Sequence, residues 1–496
     1  MKQKKRKEKA MIENEKSSRK EKILRWFNYI LGLICFSTLT SFVCIGIVSK
    51  NIKNFVNFVP FTLLVDLIVF GILLIVFVYH MVIVKGSYKS FSRLREYLII
   101  NISISLGSMF SCLMYVHVSP YAVPVATAAL LISILISQRI GILTAIGTFL
   151  ISLVTCPLSV FLIEGSITIG QIGGLCIGLL SSICMTFLVH RGYTRFKITC
   201  GALLIGLISL PFAIPLGIVE KASTFVSVLK TCCFSFLGSA VAVGYVSVVL
   251  PVYERIFRVW TDFKLAEVCS LNQPLLRELK EKAPGTFSHS LTVSTLAENC
   301  AIAIGLNPFM ARACAMYHDI GKIKNPEYFI ENQQGGYNPH DDLIIDVSVK
   351  IIIEHPELGA QVLKKHNLPD TVIKAALEHH GDSTLMFFYL KAKGITEGNL
   401  EADKYRYPDP KPSTKYSAII MICDMCEAMI RSKKPTSYEE LESIVYEIIE
   451  GRILDGQLSE CDISILQLQK IKTSICQAMP SMLHERIDYD KAKERR

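Results

Sequence analysis

Two hydrophobic rhythms divide the chain. From Trp26 to Val252 the sequence runs in long apolar stretches broken by short polar ones, and from Tyr253 to Arg496 apolar positions recur every three or four residues among ordinary charge density. About 20 apolar residues are needed to cross roughly 30 Å of hydrocarbon as a helix, so the first rhythm predicts membrane helices. The second predicts amphipathic helices with one buried face. Eight apolar segments are expected, at 27–48, 61–84, 97–117, 121–138, 140–163, 167–190, 199–219 and 229–252, the fourth and fifth joined by little more than "SQRIG". The resulting plan is a basic tail over 1–25, a transmembrane domain of about eight helices over 26–252, a juxtamembrane helix over 253–283 that stops at Pro284-Gly285, and a helical domain over 284–496. With no alternating strand pattern and no fixed-period repeat, the fold class is all-α: a polytopic transmembrane helical domain followed by a water-facing all-helical domain.

Composition agrees with this division. Hydrophobic residues make up 51% of the 496 positions and charged residues 19%, against about a quarter charged in ordinary soluble domains. The net charge of +10 is mostly local, because the first 25 residues carry eleven Lys/Arg against four Glu. Short loops rich in Lys/Arg stay on the cytoplasmic side. The basic segments "KGSYKSFSRLREY", Arg139, "RGYTRFK" and "YERIFR" alternate with the poorer "SKNIKN", "VSPYA", "EGS" and "EKAST". Eight spans with that alternation predict a multi-pass protein of the cell membrane with both termini in the cytoplasm. A basic tail beside a first span is an anchor for anionic lipid, which makes membrane lipid the expected partner and removes the need for nucleic acid.

Sixteen cysteines do not imply disulfides. Nine of them (Cys35, Cys44, Cys112, Cys156, Cys176, Cys184, Cys200, Cys232 and Cys233) fall in or beside predicted spans, where a thiol is a small apolar filler. "CDMC" (Cys423 to Cys426) has no second CxxC to complete a zinc site and reads as two helix residues one turn apart. Asp66 lies near a predicted span end, and the charged residues at mid-depth that a transport pathway needs are missing from the pattern.

The candidate chemistry lies in the second half. Seven of the eleven histidines fall between Ser288 and Gly381: His289, His318, His340, His355, His366, His379 and His380. Asp319 and Asp424 sit in similarly apolar settings, "MYHDIG" and "MICDMC". One such histidine is more often a satisfied core residue, and a buried carboxylate costs several kcal/mol unless paired or ligated. A cluster of both is best accommodated around divalent cations, and imidazole plus carboxylate without thiolate suits Mn, Fe or Zn in a hydrolytic site.

The ordered set His289 … His318-Asp319 … His355 … His379-His380 … Asp424 resembles the ligand order of HD-domain metal-dependent phosphohydrolases. The flanks "APGTFSHS", "HDIGK", "PEYFIENQQGGYNPHD", "EHHGDS" and "RYPDPKPSTK" are similar to the seven-transmembrane HD family, the PgpH-type cyclic-di-AMP phosphodiesterases of bacteria. The resemblance implies an HD-type helical domain with two divalent metal ions, Mn²⁺ or Fe²⁺. His289, His318, Asp319 and Asp424 would hold one; Asp319, as bridge, would hold the other with His355 and His379. Two cations about 3.5–4 Å apart can activate a shared hydroxide and clamp an in-line attack on phosphorus. In the same reading Lys322 meets a phosphate oxygen, His380 meets the phosphate or the leaving oxygen, and His340 belongs to a loop over the site at Pro326 to Asp342, with Gly335-Gly336 as its turn. Which of His379 and His380 is the ligand stays open. His366 reads as a solvated helix end.

The resemblance implies opening of cyclic-di-AMP to pApA. Enzymes that cut cyclic-di-GMP carry a GYP signature after the paired histidines, and "EHHGDSTLMFFYL" has none. Two alternatives remain: an HD hydrolase of another nucleotide (cyclic-di-GMP or an alarmone), and a membrane receptor whose domain binds a nucleotide without cutting it. A homodimer stays open. Two departures from the family are visible. About a dozen residues, Ser49 to Pro60, stand where fuller members carry a large external domain, and Asp409 stands in "RYPDPKP" where the family favours Gly.

Overall fold

The computed structural model describes residues 28–47, 59–83, 90–164, 166–189, 195–219, 224–333, 337–395 and 401–483. The basic tail over 1–25 and the Gly335-Gly336 turn lie outside the described residues. The chain forms two compact units, Met1–Thr261 and Asp262–Arg496. Among the described residues there is no strand, only an isolated bridge between Thr384 and Arg406.

The first unit is a bundle of α1 (Asn28–Ile47), α2 (Val59–Ile83), α3 (Ser90–His117), α4 (Ala126–Leu135), α5 (Gln138–Glu164), α6 (Ile169–Val189), α7 (Arg195–Ile208), α8 (Leu210–Val219) and α9 (Phe225–Ile256). Among the described residues, six helical segments are long and apolar enough to cross a membrane: α1, Arg95–His117 of α3, Gln138–Pro157 of α5, α6, the α7–α8 pair over Phe196–Val219, and α9. The other two of the eight expected segments are the shorter stretches Leu63–Tyr79, inside α2, and Pro120–Leu135. The fourth expected span therefore takes a different form. Pro120 and Pro124 restrict the backbone ahead of them, so the segment begins as a 3₁₀ turn at Pro120–Ala122, capped by Ser119, and becomes helical only at Ala126. Its ten helical residues reach about 15 Å, half of the hydrocarbon thickness. The irregular backbone is buried, as non-helical chain at membrane depth must be: Tyr121 through Leu131 are shielded. Glycine allows the close fit, since a Cβ on Gly174 of α6 would fall 2.3 Å from the Pro120 carbonyl oxygen.

This bundle inverts the usual arrangement of a water-soluble core. Leu63, Leu67 and Ile75 of α2 and Phe196, Leu204 and Phe212 of α7–α8 point outward, while Ser105, Ser108, Ser111, Thr144, Thr148 and Ser152 are buried. Small and hydroxylated residues at helix contacts with large apolar residues outside are what lipid favours.

The second unit begins with α10 (Asp262–Val268) and α11 (Pro274–Lys282), where one juxtamembrane helix is expected. The break falls at Asn272-Gln273-Pro274, because proline is admitted at a helix start and disfavours helix in the residue before it. Pro284-Gly285, expected as a stop, instead opens α12 (Pro284–Ala303), with Pro284 at the helix start. There follow α13 (Pro308–Tyr317), α14 (Ile345–Ile353), α15 (His355–Lys365), α16 (Asp370–Glu378), α17 (Met386–Ile395), α18 (Lys415–Lys433), α19 (Tyr438–Leu454) and α20 (Ile465–Leu483). Between α13 and α14 the expected loop is a series of 3₁₀ turns at Ile320–Lys324, Pro326–Tyr328, Ile330–Asn332 and Pro339–Asp341. The core centres on α12, α13 and α18, where Leu296, Cys300, Ala313, Cys314, Ile419, Cys423 and Cys426 are fully shielded. Every cysteine is a free thiol.

Candidate metal centre

The HD pair marks a change of backbone. α13 ends at Tyr317, His318 keeps helical angles as its cap, and Asp319 (φ −100°, ψ 13°) turns the chain into the 3₁₀ segment Ile320–Lys324. The turn places both side chains inside, with His318 at 0% and Asp319 at 1% exposure. Gly321 makes the fit to α15 possible, because a Cβ there would fall 2.0 Å from the His355 carbonyl oxygen and 2.7 Å from Gly359 N. His355 is the first residue of α15 and His379 caps α16, whose course ends at Gly381 (φ 58°). His289 comes from the buried face of α12 and Asp424 from α18.

The expected ligands His289, His318, Asp319, His355, His379 and Asp424 meet around the Asp319 carboxylate. Its Oδ2 lies 3.2 Å from His318 Nε2, 3.9 Å from His289 Nε2 and 2.7 Å from Lys322 Nζ. Its Oδ1 lies 3.3 Å from His355 Nε2 and 3.6 Å from His379 Nε2. Asp424 Oδ1 is 2.8 Å from His289 Nε2 and 3.7 Å from His318 Nε2. Among the described residues, three sets of side chains offer ligand atoms all within 4.8 Å of one another: His289, His318 and Asp424; His318, Asp319 and His379; His355, His379 and His380. His380, expected at the phosphate, shares the third of these sets with its neighbour His379.

The set fits divalent metal. His318 Nε2 and both Asp319 oxygens are buried without a hydrogen bond, and the contacts of Asp319 are the Lys322 ion pair and the imidazoles. Three rings have their ligand atom fixed from behind. His318, His355 and His379 each donate Nδ1–H to the carbonyl three residues earlier, Ala315, Ile352 and Ala376, at 2.6, 2.7 and 2.8 Å. That leaves each Nε2 for a cation.

Charge divides the site. Burial alone would lower the His289 pKa, but hydrogen bonds to Asp424 and Glu427 outweigh it and hold it up to about 9. His318 is held up to about 10 by Asp319 and Asp424 against the same burial. On the opposite side burial wins: His379 falls to about 4, and His380 falls well below its ordinary value through burial and the neighbouring His379 and His355. Asp319 stays ionised well below the usual carboxylate range, since His318 and Lys322 overcome its burial.

Lys322 is buried between two carboxylates, Asp319 and Glu331, the latter at 2.9 Å. Its ammonium also lies 4.9 Å from the Phe329 ring centroid. His340 lies in the segment after the HD pair, its Nε2 2.8 Å from the Tyr328 carbonyl and its ring packed on Tyr328 and Phe388. His366 caps the end of α15, exposed as expected.

Four neighbours of the cluster left little or no mark in the sequence. Glu427 contacts His289 Nδ1 at 2.6 Å, Glu331 holds Lys322, Tyr407 stacks on His380 with centroids 4.4 Å apart, and Glu378 accepts from Ser413 and Ser417 beside His379. Only Glu427 left a readable sign, one turn beyond Asp424 on the same helix face and one turn before Arg431.

A buried imidazole–carboxylate cluster gathered by helices, with an HD dipeptide at its centre, defines an HD-type metal-site domain. The family model for the HD domain matches residues 286–429, and the model described as "7TM receptor with intracellular HD hydrolase" matches residues 30–261. The two matches fall one in each unit, and the chain is a multi-pass membrane protein that carries an HD domain. It is 37% identical over 373 residues to the cyclic-di-AMP phosphodiesterase PgpH of Listeria monocytogenes, covering 75% of this chain and 50% of that protein. To the Bacillus subtilis protein of the same name it is 35% identical over 393 residues, covering 78% and 54%. The chain therefore spans about half the length of the curated relatives it matches. A crystal structure of the L. monocytogenes PgpH HD domain in complex with cyclic-di-AMP shares 43% identity over 43% of this chain and 99% of that one, with a TM-score of 0.42.

Proposed function

We propose that the chain is a membrane-anchored, metal-dependent phosphodiesterase that opens cyclic-di-AMP to the linear pApA. The observation that carries this reading is the Asp319 carboxylate, which turns one oxygen toward His289 and His318 and the other toward His355 and His379. A carboxylate so placed suits the bridge between two divalent ions, Mn²⁺ or Fe²⁺. His289, His318 and Asp424 would hold one ion, and His355, His379 and His380 the other, which would move His380 from the phosphate to the metal. When bound, such ions lower the pKa of water and neutralise charge on phosphoryl oxygens.

The remaining roles belong to the protein. Lys322, kept cationic against its burial by Asp319 and Glu331, would offer its ammonium to a non-bridging phosphate oxygen. Glu331 keeps the lysine in place. Tyr407, stacked on His380, presents an aromatic edge to an incoming base. His340, packed on Tyr328 of the turns over the site, positions that segment against substrate. The substrate assignment rests on the two curated relatives, whose names state cyclic-di-AMP phosphodiesterase activity, and on the absence of GYP after His380. The basic tail supports a cytoplasmic N-terminus, and an even number of crossings, with the Pro120–Leu135 segment completing the fourth, returns the second unit to the same side.

The test is incubation of the purified full chain, in detergent, with Mn²⁺ or Fe²⁺ and either cyclic-di-AMP or cyclic-di-GMP, followed by chromatography of the products. Release of pApA from cyclic-di-AMP alone supports the reading. Cleavage of cyclic-di-GMP in its place reassigns the substrate, and tight binding without product makes the chain a receptor.

A further inference from the structure

His289 is held differently from His318, His355 and His379. His318, His355 and His379 donate Nδ1–H to backbone carbonyls of their own segments. His289 Nδ1 instead lies 2.6 Å from Oε2 of Glu427, a side chain only 4% exposed. The other oxygen, Oε1, is ion-paired with Arg431 one turn further along α18. Asp424 and Glu427 are themselves one turn apart, so a single helix flanks the ring at both nitrogens, Asp424 at Nε2 and Glu427 at Nδ1.

Either partner orients an imidazole and raises its basicity, and an ionised carboxylate does so more strongly than a neutral carbonyl because its hydrogen bond is charge-assisted. The position made by His289, His318 and Asp424 thus has a carboxylate within it and another behind it. The position made by His355, His379 and His380 is three imidazoles, and the carboxylate within reach of it is the shared Asp319. We infer that Glu427 is a positioning residue that makes the two cation positions unequal, the His289 side binding tightly and filling first, the His355 side binding weakly and filling second. Arg431 completes the device by occupying the second oxygen of Glu427, so the carboxylate backs the histidine and does not itself turn into the site. This inference rests on the two-ion reading above. It adds that catalytic competence is set by occupancy of the weaker position, so that the enzyme responds to free divalent metal over the range of that second affinity.

Calorimetric titration of the metal-free full chain with MnCl₂ tests it. The wild type is expected to give two resolved binding events. Glu427→Gln keeps the shape and removes the charge, and should weaken the tighter event about 10–100-fold while leaving the weaker one in place, merging the two. Glu427→Asp keeps the charge at shorter reach and should recover part of the loss; it also carries the test if the Gln variant fails to match the wild-type melting midpoint without metal. Two wild-type events of equal affinity, or variants with unchanged affinities, overturn the inference and leave the two-ion reading standing. A wild type that binds no divalent metal overturns both.

Discussion

The two sides of the metal centre use the same residue type to opposite ends. On one side His289 and His318 stand among Asp424, Glu427 and Asp319, and their proton affinities rise to about 9 and about 10. On the other, His355, His379 and His380 crowd one another, and burial carries His379 down to about 4. An imidazole has no fixed character in a buried site; the nearest charges decide whether it behaves as a cation or as a neutral donor. Asp319 belongs to both sides, and for that reason it is the residue on which the arrangement depends.

Removing Asp319 should erase the distinction altogether. Asp319→Asn is expected to lower phosphodiesterase activity by at least about 10³-fold and to cost metal at both positions, measured by product formation and elemental analysis of the same preparation. Loss of activity with full metal content would mean that Asp319 is not a bridge. A smaller effect separates phosphate binding from metal binding. Lys322→Met should reduce kcat by about 10²-fold, as loss of one preorganised charge donor does, with bound metal unchanged. Loss of metal in that variant would place Lys322 in the structural support of Asp319 instead. Smaller again, Tyr407→Leu removes the ring stacked on His380. Aromatic contacts contribute about 0.5–1.5 kcal/mol, so KM should rise roughly 2- to 12-fold with kcat nearly constant. An unchanged KM would remove Tyr407 from substrate contact.

The smallest effect concerns stability beside the imidazole-rich side. Asp409 has its carboxyl pKa pushed up to about 7 by burial and by Glu357, and its Oδ2 has no hydrogen bond. Between about pH 4 and 7 the folded chain then holds a proton that the unfolded chain has released, so this residue subtracts stability as pH rises through that window and subtracts no more above it. Asp409→Asn should raise the melting midpoint at pH 8 by about 2–4 °C for each kcal/mol recovered, with no gain at pH 4. An equal gain at both would show that the carboxyl is not the cause.

The helical fold was legible because it leaves periodic marks, and the clustering of the histidines and aspartates because their order resembles that of the HD family. Apolar runs report lipid contact directly, and His289, His318-Asp319, His355, His379-His380 and Asp424 each sit where a helix face or a helix end turns inward. What escaped was decided by tertiary contact. Pro120 and Pro124 were visible, yet the short α4 exists because α6 offers Gly174 to a backbone that could not otherwise be buried. Pro284-Gly285 reads equally as a stop or a start, and the packing of α12 decides. His340 shares a segment with the site but spends its ring on Tyr328 and Phe388. Glu331 and Tyr407 reach the centre from turns whose course no spacing rule encodes.

The central claim is that two cations share Asp319, and metal counting in parallel with catalysis tests it most directly. The chain loaded with Mn²⁺ should contain two ions by elemental analysis and release pApA from cyclic-di-AMP, while Asp319→Asn loses metal from both positions and releases no product. One ion per chain in a fully active wild type, or an Asp319→Asn variant that keeps two ions and full turnover, would contradict the account.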